Sequence, residues 1–348
     1  MEVLELIDRL QFTQTLSVQE YEFIISKAEQ KHLEYAAKKA DQVRRTFYGN
    51  KVYIRGLIEI SSHCKNNCLY CGIRCGNKNA IRYRLTPEEI LECCRNGHAL
   101  GFRTFVLQGG EDPFFTDDIL CSLIEEIKKA FPDCAVTLSL GERSFESYEK
   151  LKTAGADRYL LRHETATEEH YEKLHPAEMS FSNRMKCLEN LRQLGFQTGA
   201  GFMVGSPFQT DGNLARDLFF IQNLKPEMCG LGPFIPHKDT EFKNHPAGTL
   251  DRTLLCLSLV RLANQRILLP ATTALATICD NGIPLGIKAG ANVVMPNLTP
   301  VSVRKNYSLY DKKADSGNQA AENLELLKQQ IKSIGYEVVV DRGDSLQK

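Results

Sequence analysis

Apolar and polar positions alternate along this chain with two different periods. Over residues 1–47 apolar residues recur at three- and four-residue spacing, as at Leu4, Ile7 and Leu10 and again at Phe23, Ile24 and Ala28, which predicts helices packed outside a larger body. From Val52 the pattern becomes strand–helix alternation. V-Y-I-R-G-L-I-E-I and, from Thr104, T-F-V-L-Q-G-G read as strands. The helix between them starts at Thr86, with Pro87 at its first position and Glu89 completing a capping box. The alternation continues through helix 117–131, strand 135–140, helix 145–154, strand 158–163, helix 181–194 and strand 197–204. Helix 211–224, strand 228–235, helix 250–264, strand 266–273, a short helical piece near 283–289 and strand 292–296 follow.

Repeated strand–helix units over about 250 residues predict a complete parallel (β/α)8 barrel of the TIM type. A doubly wound sheet is the other option, but no Gly-rich nucleotide fingerprint follows the first strand, and G-F-M-V-G at Gly201 is too weak to supply one. After Asn297 come a polar stretch, K-K-A-D-S-G-N-Q, a helix over about 320–333 and a last strand, Y-E-V-V-V. No linker separates two domains. One domain is expected, with a helical extension (1–47), a barrel (48–300) and a C-terminal extension (301–348).

The 348 residues are 43% apolar, enough for a sizeable core. Lys+Arg and Asp+Glu each number 43, so no basic excess points to nucleic acid. No apolar run reaches the roughly 18 residues of a membrane span, and M-E-V-L-E-L-I-D lacks a signal-peptide layout. A cytoplasmic protein is expected. The twelve cysteines show no small-domain disulfide framework and are read as reduced. Cys93, Cys94, Cys121, Cys134, Cys187, Cys229, Cys256 and Cys279 fit small buried hydrophobes.

The other thiols are different. Cys64, Cys68 and Cys71 lie in C-K-N-N-C-L-Y-C at the end of an apolar run. Thiolates suit iron–sulfur clusters and zinc, and a cubane is usually held by four cysteines, so three would leave one iron open to a small molecule. Cys75 keeps a closed four-thiolate site available as the alternative, although zinc sites favour paired C-x2-C elements.

Barrel active sites lie at the C-terminal ends of the strands, which singles out further residues. Strand two ends in Gly109-Gly110-Glu111-Asp112-Pro113, where missing side chains admit a ligand and a carboxylate accepts from an ammonium group; an ordinary turn is the bland reading. Strand four ends in Arg162-His163-Glu164-Thr165. Arg162 and Glu164 share a face and can pair, whereas His163 points away and reads as a supporting residue. Arg184, early in the next helix, can meet a carboxylate. The later strand ends, Pro233 to His237, Ala271-Thr272-Thr273-Ala274 and Met295-Pro296-Asn297, offer hydroxyls and an amide to a small polar substrate.

With these strings in hand, the chain resembles the radical S-adenosylmethionine (SAM) superfamily, and within it the HydE-type maturases of FeFe hydrogenases. The likeness runs from Arg44-Arg45 through the cysteine motif, R-Y-R-L-T-P-E-E-I, L-Q-G-G-E-D-P, V-T-L-S-L-G-E, R-Y-L-L-R-H-E-T-A, G-P-F-I-P-H, P-A-T-T-A and A-G-A-N-V-V-M-P-N. The resemblance implies a 4Fe-4S cluster on Cys64, Cys68 and Cys71, with Tyr70 flanking the adenine of SAM. It puts Gly109, Gly110 and Glu111 near the SAM amino group and Glu164 and Arg184 in the same site. It implies a small iron- or sulfur-containing precursor in a cavity lined by Arg162, Thr272, Thr273 and Tyr307. Implied partners are a low-potential electron donor, ferredoxin or flavodoxin, and other hydrogenase maturases. Some maturases hold an accessory cluster on C-terminal cysteines; this chain has none after Cys279. A methylornithine synthase-type radical mutase is the enzymatic rival, and a non-catalytic iron–sulfur protein is the rival from another class.

Overall fold

A computed structural model describes residues 2–313 and 320–347. The N-terminal segment forms helices α1 (Val3–Thr13), α2 (Val18–Lys27) and α3 (Gln30–Tyr48). Strands β1 (Lys51–Ile54) and β2 (Gly56–Ser61) follow, then α4 (Pro87–Ala99), β3 (Thr104–Gly109), α5 (Asp117–Ala130), β4 (Ala135–Ser139), α6 (Phe145–Thr153) and β5 (Arg158–Leu160). Next are α7 (Glu168–Leu174), α8 (Phe181–Gln193), β6 (Gln197–Ala200), β7 (Met203–Val204), α9 (Asp211–Leu224), β8 (Met228–Cys229), β9 (Gly232–Pro233) and α10 (Leu250–Ala263). The chain ends in α11 (Thr273–Ile278), α12 (Gly282–Lys288), β10 (Val293–Val294), α13 (Val301–Arg304), α14 (Ala320–Ser333) and β11 (Glu337–Val339).

The caps sit where the side chains demand them. Thr86 accepts from the Glu89 amide at 3.2 Å while Glu89 returns a bond to the Thr86 amide at 2.7 Å, satisfying donors that the first turn of α4 cannot pair internally. The N-terminal helices bury one stripe each, such as Leu6, Ile7 and Leu10 of α1 and Tyr21, Ile24 and Ile25 of α2. Tyr21 and the Leu16 amide both donate to Gln222 of α9, at 2.9 and 2.8 Å. Helix α10 is buried nearly all round because α3 covers the face that the sheet does not. No helix among the described residues is long and apolar enough to cross a membrane.

The molecule is an α/β fold around a parallel six-stranded sheet in the order β2-β3-β4-β5-β6-β8. Among the described residues no continuous ladder closes this sheet into a barrel. The gap between β8 and β2 is spanned by isolated parallel bridges, Met228 to Leu268, Pro270 to Val293 and Leu57 to Asn297, together with the β1–β10 pairing. On its other edge β1 pairs with β11, so the C-terminal extension is stitched onto the first strand.

Several expected strands are shorter than the pattern implied. The first breaks at Arg55, where pairing passes from β10 and β11 to β3. The strand expected over 158–163 stops at Leu160, and four residues on Glu164 turns into the left-handed region at φ 65°. The one expected over 197–204 divides into β6 and β7 at Gly201, and the one over 228–235 into β8 and β9. The segment 266–273 forms bridges instead of a ladder; Pro270 has no amide to give, and Thr273 already opens α11. Helices α7, α11 and α13 escaped the periodicity because each is about two turns or less. Of the polar stretch at 312–319, residues 314–319 lie outside the described residues.

A Cβ at Gly201 would stand 2.1 Å from the Gly230 carbonyl oxygen, whereas one at Gly230 would meet nothing nearer than Leu160, at 3.7 Å. Gly201→Ala is therefore expected to lower stability by about 1–3 kcal/mol and Gly230→Ala by far less. Denaturant midpoints of the two variants check this; equal midpoints would refute it.

Candidate active site

The cysteine loop leaves β2 and runs to α4 with almost no regular structure. Arg82 holds it from within, donating to the carbonyls of Ser62, Ile73, Arg74 and Asn77. Three other parts of the chain hold it from outside: Lys65 N donates to Glu111 O past the end of β3 at 2.9 Å, Leu69 N to Leu174 O at the end of α7 at 3.0 Å and Gly72 N to Leu309 O after α13 at 2.9 Å. Cys64, Cys68 and Cys71 are partly buried and Cys75 is exposed. Burial, followed by the neighbouring thiols, pushes Cys71 up to about 12 and Cys68 well above the usual thiol range. The bare thiols thus resist ionisation until a cation shares the loop.

Beneath the loop lies a cavity of about 340 Å³. Tyr70, Cys71, Gly109, Arg162, Glu164, Arg184, Thr272, Thr273 and Tyr307 line it; Cys64, Cys68, Gly110 and Glu111 do not. Thr272 and Thr273 both reach it because the chain turns from extended at Thr272 into helix at Thr273, which breaks the alternation of a strand. The end of β3 supports the cysteine loop. A Cβ at Gly110 would stand 2.2 Å from His63 O and 2.6 Å from the Cys64 Cβ, so the missing side chain makes room for the cysteine loop. Glu111 takes Lys65 at 3.2 Å and the Glu142 amide at 2.9 Å, and Asp112 takes Arg84 at 2.7 Å and the Ser61 hydroxyl at 2.6 Å.

Arg162 Nη2 lies 3.0 Å from Glu164 Oε2 without hydrogen-bond alignment, which leaves both groups with unused capacity. Arg184 binds Glu142 Oε1 through Nε at 2.5 Å and the Arg162 carbonyl through Nη1 at 2.7 Å. Burial opposes its charge, but Tyr171, Glu142 and Tyr70 outweigh that and hold the guanidinium protonated. His163 is fully buried behind this layer, as its strand position implied; its Nδ1 accepts from Gly201 N at 3.3 Å and its Nε2 stands 3.5 Å from Asp217 Oδ1.

A model of the radical SAM superfamily matches residues 58–221. The chain is 47% identical, over 89% of its length and 87% of the relative's, to the [FeFe] hydrogenase maturase subunit HydE of Thermotoga maritima. The chain belongs to the radical SAM superfamily, in the family of HydE. It is also 29% identical to a 3-methylornithine synthase of Methanosarcina acetivorans, over 82% of this chain and 80% of that one. The crystal structure of methylornithine synthase (PylB) superposes with a TM-score of 0.85 at 25% identity, covering 96% of this chain and 97% of that one.

Radical SAM enzymes use a 4Fe-4S cluster and SAM, and the residues present fit both. Three thiols share one short loop, and Cys71 opens onto the cavity. Buried polar atoms with no partner face that cavity: Arg55 Nε and Nη2, Thr137 Oγ1 and Thr272 Oγ1, besides the unused capacity of Arg162 and Glu164. So many unsatisfied groups in one enclosure call for a polar ligand.

Reading strand ends alone missed Glu142, Glu59, Lys313 and Arg55. Glu142 follows Gly141 just past the end of β4. Arg55, Leu57 and Glu59 alternate along the first strand and all line the cavity; two charges at alternate positions of an apolar strand were the signal. Arg55 Nη1 rests 2.7 Å from Met228 Sδ. Glu59 is fully buried and paired with Lys313, and Asn297 donates to it at 3.0 Å. The last contact corrects the expectation that Asn297 serves a substrate directly.

His175, 3.2 Å from the Tyr70 hydroxyl, is buried, and burial holds its imidazole at about 3 against an ordinary value of 6.5. As pH falls through 6.5 the unfolded chain takes up a proton that the folded chain refuses until about 3, so His175 lowers stability progressively across that window. Wild type should therefore lose stability relative to His175→Gln by up to about 1.4 kcal/mol per pH unit between 6.5 and 3. Urea unfolding of both apoproteins across that range measures it; a pH-independent difference would contradict it.

Proposed function

We propose that this chain cleaves SAM reductively and acts on a small iron- or sulfur-containing precursor during assembly of the FeFe-hydrogenase di-iron cofactor. The observation that carries this reading is one cavity bordered by the cysteine loop, by Arg162, Glu164 and Arg184, and by Thr272 and Thr273. Cys64, Cys68 and Cys71 would hold the cluster. When bound, the reduced cluster supplies one electron to the SAM sulfonium, breaking a carbon–sulfur bond to give methionine and a 5′-deoxyadenosyl radical.

The chain's own residues do the rest. Glu164 offers a carboxylate to the SAM amino group, and Arg184, fixed by Glu142, offers a guanidinium to a carboxylate. Tyr70 presents an aromatic ring to the adenine, and Gly109 borders the same cavity on the side of the SAM amino group. Gly110 and Glu111 act from behind, holding the loop that carries Cys64. Arg162, Thr272, Thr273 and Tyr307 face the precursor. A ferredoxin or flavodoxin would deliver the electron, and other maturases would supply or receive the small molecule. We infer a cytoplasmic setting, in keeping with twelve free cysteines.

Identity to HydE exceeds identity to the mutase, at 47% against 29%, and the polar-lined cavity beside the loop disfavours a purely electron-carrying protein.

Anaerobically reconstituted protein is expected to bind about four irons, with Cys75→Ser unchanged. Reduction with SAM should release 5′-deoxyadenosine and methionine. Glu164→Gln and Arg184→Ala should weaken SAM binding about tenfold or more while retaining iron. Stoichiometric zinc, cluster loss in Cys75→Ser, or wild-type SAM affinity in both variants would defeat the reading.

Replacing Thr272 and Thr273 together by Val keeps β-branched shape but removes two hydroxyls, each worth about 1–3 kcal/mol where it binds a buried anion. Uncoupled SAM cleavage should survive while hydrogenase activation in a reconstituted maturation assay falls. Full activation would remove these threonines from the substrate site, and methylornithine formed from lysine by wild type would replace the maturase assignment with the mutase.

A further inference from the structure

One short segment, L-H-P-A-E-M from Leu174 to Met179, grips three consecutive residues of the cysteine loop. The Leu174 carbonyl accepts from Leu69 N at 3.0 Å, His175 Nε2 stands 3.2 Å from the Tyr70 hydroxyl, and Met179 Sδ lies 3.6 Å from Cys68 Sγ. Leu69 and Tyr70 pack against Leu174, Met203, Phe234 and Phe242, which closes the apolar side of the grip.

The sequence dictates this geometry. Pro176 disfavours helical backbone at the residue before it, so α7 stops at Leu174 and His175 is extended at φ −125° and ψ 153°. The imidazole stacks on Tyr171 with centroids 3.8 Å apart, and its Nδ1 is 2.9 Å from the Tyr171 carbonyl oxygen. A carbonyl can only accept, so Nδ1 carries the proton. In the neutral ring Nε2 is then a bare acceptor, and the Tyr70 hydroxyl must donate to it. Tyr70 meets His175 edge-on, at 90° and 5.4 Å between centroids, so both the height and the plane of its ring are fixed. Tyr70 lines the cavity and immediately precedes Cys71.

We propose that His175 is a positioning residue for SAM, acting through the Tyr70 hydroxyl to hold that ring in the orientation the nucleoside meets. The inference rests on the radical SAM reading and adds to it a residue outside the cysteine loop and the strand ends. His175 sets how well SAM binds, and the three cysteines set whether the cluster forms.

The test uses cluster-loaded protein and two readouts besides turnover: equilibrium SAM binding and the SAM-induced change in the electron paramagnetic resonance spectrum of the reduced cluster. His175→Leu removes the acceptor, His175→Gln offers an amide oxygen in its place, and Tyr70→Phe removes the donor. His175→Leu and Tyr70→Phe should each raise the SAM dissociation constant about three- to tenfold, as loss of one hydrogen bond implies, at unchanged iron content. The double variant His175→Leu, Tyr70→Phe should be no weaker than Tyr70→Phe alone, and His175→Gln should recover most of the affinity. Wild-type affinity in His175→Leu, equal losses in the Leu and Gln variants, additive losses in the double variant, or loss of iron from His175→Leu would each overturn the proposal. Failure of wild type itself to bind SAM would instead count against the radical SAM reading.

Discussion

The barrel mouth depends on holding rigid a loop that makes almost no regular hydrogen bonds of its own. Ordering such backbone costs about 1–2 kcal/mol per residue, and neither a helix nor a ladder offsets it here. Arg82 offers much of the compensation, since one planar guanidinium ties four carbonyls from both ends of the loop. Asp112 adds a second anchor by binding Arg84 and Ser61, so the root of the loop at β2 is locked to the end of β3. Gly110 belongs to the same device, because a side chain there would push Cys64 away. Rigidity matters for chemistry as well as stability: three thiols that burial keeps protonated must meet a metal site together, and a loop free to fray would lose one of them.

The charges in the mouth follow from the same logic. A buried charge is tolerated when paired, and Arg184 with Glu142 and Glu59 with Lys313 meet that condition. Arg55 does not, because a thioether is a weak acceptor and its other donors have no partner. Burial lowers the proton affinity of Arg55, with Arg158 adding to it. The fold has therefore accepted a cost at the floor of the cavity that an apolar residue would have avoided, and such a cost is usually retained where a ligand meets it.

The repeating architecture was legible because amphipathic periods persist over ten or more residues, and Thr86, Pro87 and Glu89 marked a helix start to the residue. Strand ends were less legible. Arg55, Gly201 and Pro270 interrupt ladders through tertiary pairing, steric approach and a missing amide, none of which changes the apolar pattern. Cys71, Glu164, Arg184, Thr272 and Thr273 could be singled out from motif spacing and from their places near strand ends, and the fold brings them to one cavity. Glu111 was found too, but its neighbours give it a structural partner on each oxygen, a fact that no spacing reveals. His175 was invisible for another reason: one histidine before a proline carries no motif, and its importance appears only when α7 brings it beside Tyr70.

The segment after α13 adds a further wall to the cavity. Its Leu309 carbonyl receives the Gly72 amide of the cysteine loop, Asp311 takes the Lys238 amide and gives its own to Pro236, and Lys313 reaches down to Glu59 inside the sheet. One stretch of chain thus joins the cysteine loop, the β9 end and the first strand across the top of the cavity, and Tyr307, Leu309 and Tyr310 form part of its wall. A carbon radical abstracts hydrogen from whatever it meets first, so an enzyme that generates one needs a wall on every side that substrate does not occupy. The bridges that complete the circuit of strands are few, and this strap ties together the same elements that they leave loosely joined. The C-terminal extension therefore belongs to the cavity as much as the strands do, because Tyr307, Leu309, Tyr310 and Lys313 line it together with Cys71.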